Sequence, residues 1–303
     1  MSIQLSDHFT YKKLLRFVFP SIIMMIFTSI YSIVDGLFVS NYVGKTAFAS
    51  VNLIMPLIMG VSALGFMIGT GGSALVAKTL GEGEPEKANE YFSLLVYVTF
   101  LGGILLSLLG IFLAPQVASL LGASGELLSN SVLYARLTFL SMPAFMLQNV
   151  FQSFFVTAGK PKLGLYVILS AGLTNIVLDF LLVGVWHFGL AGAALATICG
   201  ECIGGLFPVV YFLRPNSSLL RLGKTRLKLS VLGKTCLNGS SELMTNLSSS
   251  IVNSLFNVQL LRLAGENGVA AYGALSLPLF LSATPWEVPH WSAIITVQTI
   301  TSN

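Results

Sequence analysis

Charge is what this chain has least of. Asp, Glu, Lys and Arg make up 9% of its 303 residues, and 54% are hydrophobic. A soluble domain averages roughly 25% charged residues, so this composition excludes a water-solvated globular surface and leaves lipid as the solvent. Cysteine is scarce too: Cys199, Cys202 and Cys236 are the whole set. That excludes a disulfide framework. Cys199 and Cys202 form a CxxC, but it lies in an apolar run without the second ligand pair that structural zinc requires. They read as small residues tolerated in an apolar helix. No nucleophile–base set, metal cluster or phosphate loop occurs, so the sequence does not read as an enzyme. A cleavable leader is also missing. The first apolar stretch, Phe17 to Ser40, is too long for a signal peptide and lacks a cleavage site, so it is expected to be retained.

What is present is a series of long apolar runs. They predict an all-α, polytopic membrane bundle with spans at 15–40, 50–77, 91–113, 131–157, 163–185, 189–213 and 235–261. A hydrocarbon core of about 30 Å needs roughly 20 helical residues, which each run supplies. Polar breaks fall between them: Gly81-Glu82-Gly83-Glu84-Pro85, Ala158 to Lys162, and Arg214-Pro215-Asn216. The domains expected are a six-helix bundle over 1–213, a basic cytoplasmic linker over 214–234, and the start of a second bundle over 235–303, with an aberrant tail from about 274.

The basic residues orient the bundle. Thirteen of the 16 Lys and Arg fall at the N-terminus, in the 2–3 and 4–5 connections and in the linker; Lys45, Arg136 and Arg262 fall on the other side. This positive-inside bias places the N-terminus in the cytoplasm. It also accounts for the net charge of +4 without nucleic acid, and the linker is basic enough to lie against anionic headgroups. A short internal echo appears at a shift of 221 residues, where the segment from Gly44 to Ser50 falls on that from Gly265 to Ala271. It makes span seven a repeat of span one, with two parallel halves.

Ionisable groups inside spans cost about 2.5–3.5 kcal/mol on insertion scales and are functional candidates by default. Asp35 and Asp179 lie at similar depth below the outer surface, roughly 8–10 Å at 1.5 Å per residue. Asn175 is one turn before Asp179 and Thr197 is at a similar depth. Burial and a neighbouring like charge both favour a neutral carboxyl, so the pair can hold and release a proton. Alternatively the four residues' oxygens ligate Na⁺, or they form a helix-to-helix lock with no ion. Glu201, near mid-span six, and Glu242, in span seven, are further acids; Glu242 either attracts a cationic substrate or is satisfied by Ser240, Ser241 or Asn246. Met24, Met55 and Phe151 are candidates for a substrate-cavity wall, against plain packing. The glycines of Gly65-x-x-x-Gly69, Gly71-Gly72 and Gly200-x-x-x-Gly204 read as points of close helix approach.

Phe19-Pro20-Ser21, Tyr31 through Val39 and the Gly44 turn resemble the first span of the MATE multidrug and toxic compound extrusion family. Gly71 through Gly83, Phe151-Gln152 through Pro161, Asn175-x-x-x-Asp179 and Gly189 through Thr197 resemble its second, fourth, fifth and sixth spans. The resemblance covers roughly residues 10–273 and is nearest to a MepA-like bacterial branch. It implies antiport of H⁺ or Na⁺ against cationic amphipathic drugs across the bacterial cytoplasmic membrane, with no cofactor. It assigns the ion site to Asp35, Asn175, Asp179 and Thr197, and suggests Glu242 as a seventh-span acid.

The family has two six-helix bundles, whereas Pro278, Pro285 and Pro289 here are expected to break any eighth span. The expectation is therefore a C-terminally incomplete transporter, inactive alone or completed by a separate C-lobe fragment. A lipid-linked sugar flippase of related architecture is the alternative, disfavoured because its cavity would need Lys or Arg within the spans.

Overall fold

The computed structural model describes the backbone at residues 23, 27, 28 and 30–301, with side chains described as far as Leu275. Every regular element among the described residues is helical. Helix α1 covers 30–38 and continues as a π-helical turn, Val39–Val43. After Gly44 come α2 (Lys45–Gly81), α3 (Pro85–Leu120), α4 (Gly125–Leu140) and α5 (Met142–Thr157). Helix α6 (Pro161–Leu178) also ends in a π-helical stretch, Asp179–Val185; α7 (Gly189–Leu213) and α8 (Leu229–Thr301) follow. Four of these elements are long and apolar enough to cross a membrane individually. Helices α4 and α5 pass the same test as one span bent by 57°. The seven expected runs are helical where described, apart from the turn at Ser141, but among the described residues only five meet the spanning test, the bent pair being counted as one.

Close packing follows from small residues. A Cβ on Gly65 would lie 2.9 Å from the Met146 carbonyl oxygen, and one on Gly69 3.1 Å from that of Asn149, so α2 and α5 meet backbone to backbone. Gly200 does the same for α7 against Ala171 of α6, and Gly205 against Ala144 of α5. Prolines start α3, α5 and α6, where a missing N–H costs nothing. Pro56, Pro115 and Pro208 lie inside helices, as spans tolerate when neighbours help satisfy the freed groups.

The interior has two apolar clusters. One gathers the starts of α2 and α7 with α4, including Leu53, Ile54, Tyr134 and Phe139. The other is aromatic: Phe92, Phe151, Phe154, Phe155 and Phe212, with ring centroids 4.9 to 6.3 Å apart. On the outside, Leu101, Leu105, Leu108 and Phe112 of α3 are more than half exposed, a face fitted to acyl chains.

Two expectations need correction. The connection to α8 is shorter than 214–234, because α8 begins at Leu229. It is also strapped to the bundle: Leu220 and Leu222 are buried, Asn89 and Ser93 side chains accept from the Arg221 and Gly223 amides, and Lys228 pairs with Glu90 at 2.7 Å. A segment held by its own apolar side chains and α3 has less freedom to lie on headgroups than charge alone implies. Second, helical backbone does not stop near residue 274; it runs to Thr301 past Pro278, Pro285 and Pro289. Proline removes one helical hydrogen bond, and a helix can bend through that loss rather than end.

The break in α8 lies earlier, at Gly265, with φ 63° and ψ −159°. Gly44, its partner in the 221-residue echo, has φ 119° and ψ 174° and also separates two helices. Both glycines occupy the positive-φ, extended-ψ region that is essentially closed to other residues. The echo therefore has a backbone counterpart at its first position. Along α2 and α8 the two parts of the chain touch repeatedly: Thr46 donates to Glu266, Asn257 donates to the Asn52 carbonyl, and Gly71 abuts Thr235 and Gly239.

Candidate functional site

Asp35 is the sixth residue of the continuously described part of α1, one turn before the π-helical Val39–Val43. Asp179 is the first residue of the other π-helical stretch and is fully buried. The two carboxyls lie within hydrogen-bonding reach of each other. Asp35 Oδ1 and both oxygens of Asp179 are buried with no donor among the described residues. Two carboxylates cannot satisfy one another, because an ionised carboxyl only accepts. A shared proton or a bound cation would resolve the contact; without either, each buried acceptor carries its full desolvation penalty. Wide π turns recur at functional sites, and two flank this pair.

Asn175 stands one turn before Asp179. It is 4% exposed, and its Oδ1 also lacks a donor. Gly200 makes room for it, since a Cβ there would come 3.4 Å from the Asn175 Cβ. Three of the four expected residues therefore bring unsatisfied, buried oxygens to the interior, and Asp35 and Asp179 meet directly. Thr197 is half-buried and spends its hydroxyl hydrogen on the Ala193 carbonyl of its own helix, 3.1 Å away. No group of three or more His, Cys, Asp or Glu with metal-binding geometry occurs among the described residues; a cation here would need the Asn175 amide oxygen beside the two carboxylates.

The expected cavity residues separate. Phe151 is 1% exposed and stacks on Phe212 at 5.7 Å, so it belongs to a sealed aromatic core and not to a cavity wall. Its neighbours on α3, α5 and α7 are aromatic as well, and they close around it. Met55 is half-buried against the α2–α4 cluster. Glu242 is half-buried and accepts from Asn246 Nδ2 at 2.8 Å. Met24 lies outside the described residues.

Sequence reasoning missed part of the polar interior. Tyr31, one turn before Asp35, approaches Gln148 of α5 and feels both Asp35 and Glu201. Tyr134 of α4 feels Asp35, Asp179 and Glu201. Gln148 is 5% exposed beneath Gly204. The signal was there at Gln148-Asn149, a polar pair in an apolar span, and in the four-residue spacing of Tyr31 and Asp35. The recesses lined by Gly44, Lys45, Glu126 and Phe188 or by Pro115, Gly125 and Arg136 include none of these residues.

These features define a polytopic helical membrane protein with a sheltered polar centre in its N-terminal bundle. The family model described as MatE matches residues 20–181, more than half of the sequence, and the chain belongs to that family. It is 30% identical over 209 residues to the multidrug export protein MepA of Staphylococcus haemolyticus, covering 69% of this chain and 46% of that protein. MepA of Staphylococcus aureus strain MRSA252 is 26% identical over 210 residues, with the same coverage. The chain thus spans about half the length of the curated relatives it matches. Among solved structures, an outward-facing multidrug resistance MATE transporter of the MOP superfamily superposes with TM-score 0.83 at 23% identity, over 99% of this chain and 65% of that one. An inward-facing one gives 0.77 at 24% identity, over 88% and 63%.

Proposed function

We propose that the chain is the coupling part of an H⁺- or Na⁺-driven antiporter that exports cationic, amphipathic drugs. The observation that carries this reading is the facing pair Asp35 and Asp179, buried acceptors with no donor among the described residues. Such a pair has a low-energy state with an ion between the oxygens and a costly one without it. Ion release therefore changes the packing of α1 against α6, and coupling needs such a two-state response. Asn175 supplies a third oxygen for Na⁺ ligation or for orienting a shared proton. Thr197 enters only through lone pairs, its hydrogen being used within α7. Glu242, Met55 and Met24 remain the proposed contacts for a cationic substrate.

The relatives are named multidrug export proteins, and the site is of a kind such export would use. The bias of basic residues supports an N-terminus in the cytoplasm of a bacterial cell membrane. The test is efflux of a fluorescent cation from vesicles containing the reconstituted chain, driven by an imposed pH or Na⁺ gradient. Gradient-dependent efflux is expected, and its loss in Asp35→Asn and in Asp179→Asn. Efflux that survives both substitutions together would end the ion role.

A further inference from the structure

Ser141 lies at the 57° bend between α4 and α5. Its hydroxyl oxygen is 2.9 Å from the Thr138 carbonyl oxygen and also within hydrogen-bond distance of Glu201 Oε2 on α7. A serine hydroxyl carries one hydrogen, and a carbonyl carries none. If Glu201 is a carboxylate, three oxygens share a single hydrogen, and one of the two contacts is a bare approach of acceptors. If Glu201 is protonated, it donates to Ser141, Ser141 donates to Thr138, and both contacts are satisfied. The geometry is therefore that of a neutral Glu201.

The surroundings agree. Glu201 is 9% exposed, and none of the ion pairs among the described residues involves it. The titratable groups sensing it are Tyr31 of α1, Tyr134 of α4 and Cys202 of its own helix. Asp35 acts on both tyrosines, and Asp179 acts on Tyr134. All of these are neutral or acidic, so none offers a positive charge. Gln148 of α5, beside Gly204, adds a buried carbonyl oxygen without a donor.

We propose that Glu201 is a third proton-carrying carboxyl of the N-terminal bundle, and that Ser141 passes its protonation state to the bend between α4 and α5. The step balances simply. Water entering the interior takes the Glu201 proton. The Ser141 hydrogen then rotates from the Thr138 carbonyl to the new carboxylate. Thr138 keeps only the Ser141 backbone N–H, at 3.2 Å, and the bend loses one of its two ties. Ion coupling at Asp35 and Asp179 is the reading on which the role in transport rests; the count of hydrogens does not depend on it.

The test is infrared difference spectroscopy between acid and alkaline pH on the purified chain carrying Asp35→Asn and Asp179→Asn. A protonated-carboxyl C=O band should remain, disappear in Glu201→Gln and move in Glu201→Asp. Spin labels at Leu133 of α4 and Leu206 of α7, 42% and 40% exposed, then report the bend in a background without the native cysteines. Their distance should change with pH, stay at its acid value in Glu201→Gln, and lose its pH dependence in Ser141→Ala although the band persists. A band unaffected by Glu201 substitution, or a distance change unaffected by Ser141→Ala, would overturn the proposal. Both readouts are independent of drug efflux, so they fail or succeed separately from the coupling at Asp35 and Asp179.

Discussion

Thr46 donates its hydroxyl hydrogen to Glu266 Oε2 at 2.8 Å, across 220 residues of sequence. Each residue lies in the first turn of helix past a glycine held at positive φ, Gly44 and Gly265. The contact thus joins equivalent corners of the two parts of the chain that echo one another. It ties the start of α2 to the second arm of α8, and Asn257 of the first arm donates to the Asn52 carbonyl further along α2.

These glycines are required for conformation, not for space, since nothing lies within 4 Å of a Cβ at either. Alanine at Gly44 or at Gly265 is expected to cost about 1–3 kcal/mol in backbone strain. The check is thermal unfolding of each variant in detergent beside the parent, with a lower unfolding temperature expected for both. A control alanine at Gly102, which has equal room and no positive φ, is expected not to lower that temperature.

Phe151 separates packing from binding. Its ring contacts Phe92, Phe155 and Phe212 with almost no exposure. Phe151→Ala is expected to destabilise the bundle by about 3–5 kcal/mol, as large-to-small changes in aromatic cores do. A denaturant or thermal series measures this, and drug affinity of the folded fraction is expected to stay near that of the parent.

Much of this arrangement was legible in the sequence because the physics that sets it is local. Apolar run length fixes spans, and GxxxG spacing fixes where α2 can touch α5. Asp35, Asn175 and Asp179 stood out because the first and last carry charge in apolar runs, and depth alone placed the two aspartates together. Other features depend on tertiary neighbours. Phe151 reads equally well as wall or core until Phe92 and Phe212, far away in sequence, close around it. Thr197 has the right depth, but the i−4 carbonyl of Ala193 competes for its hydrogen. The link from Ser141 to Glu201 joins residues 60 apart, and no periodicity marks it. The π turns beside both aspartates leave no compositional trace either.

The central claim is that Asp35 and Asp179 together hold one exchangeable ion. The most direct measurement is ion release from the purified chain in unbuffered detergent on adding tetraphenylphosphonium, with a pH indicator for H⁺ and radioactive Na⁺ for the alternative. The account predicts release of one of the two ions by the parent chain and none by the Asp35→Asn, Asp179→Asn double variant. Release of undiminished size from that double variant would contradict it.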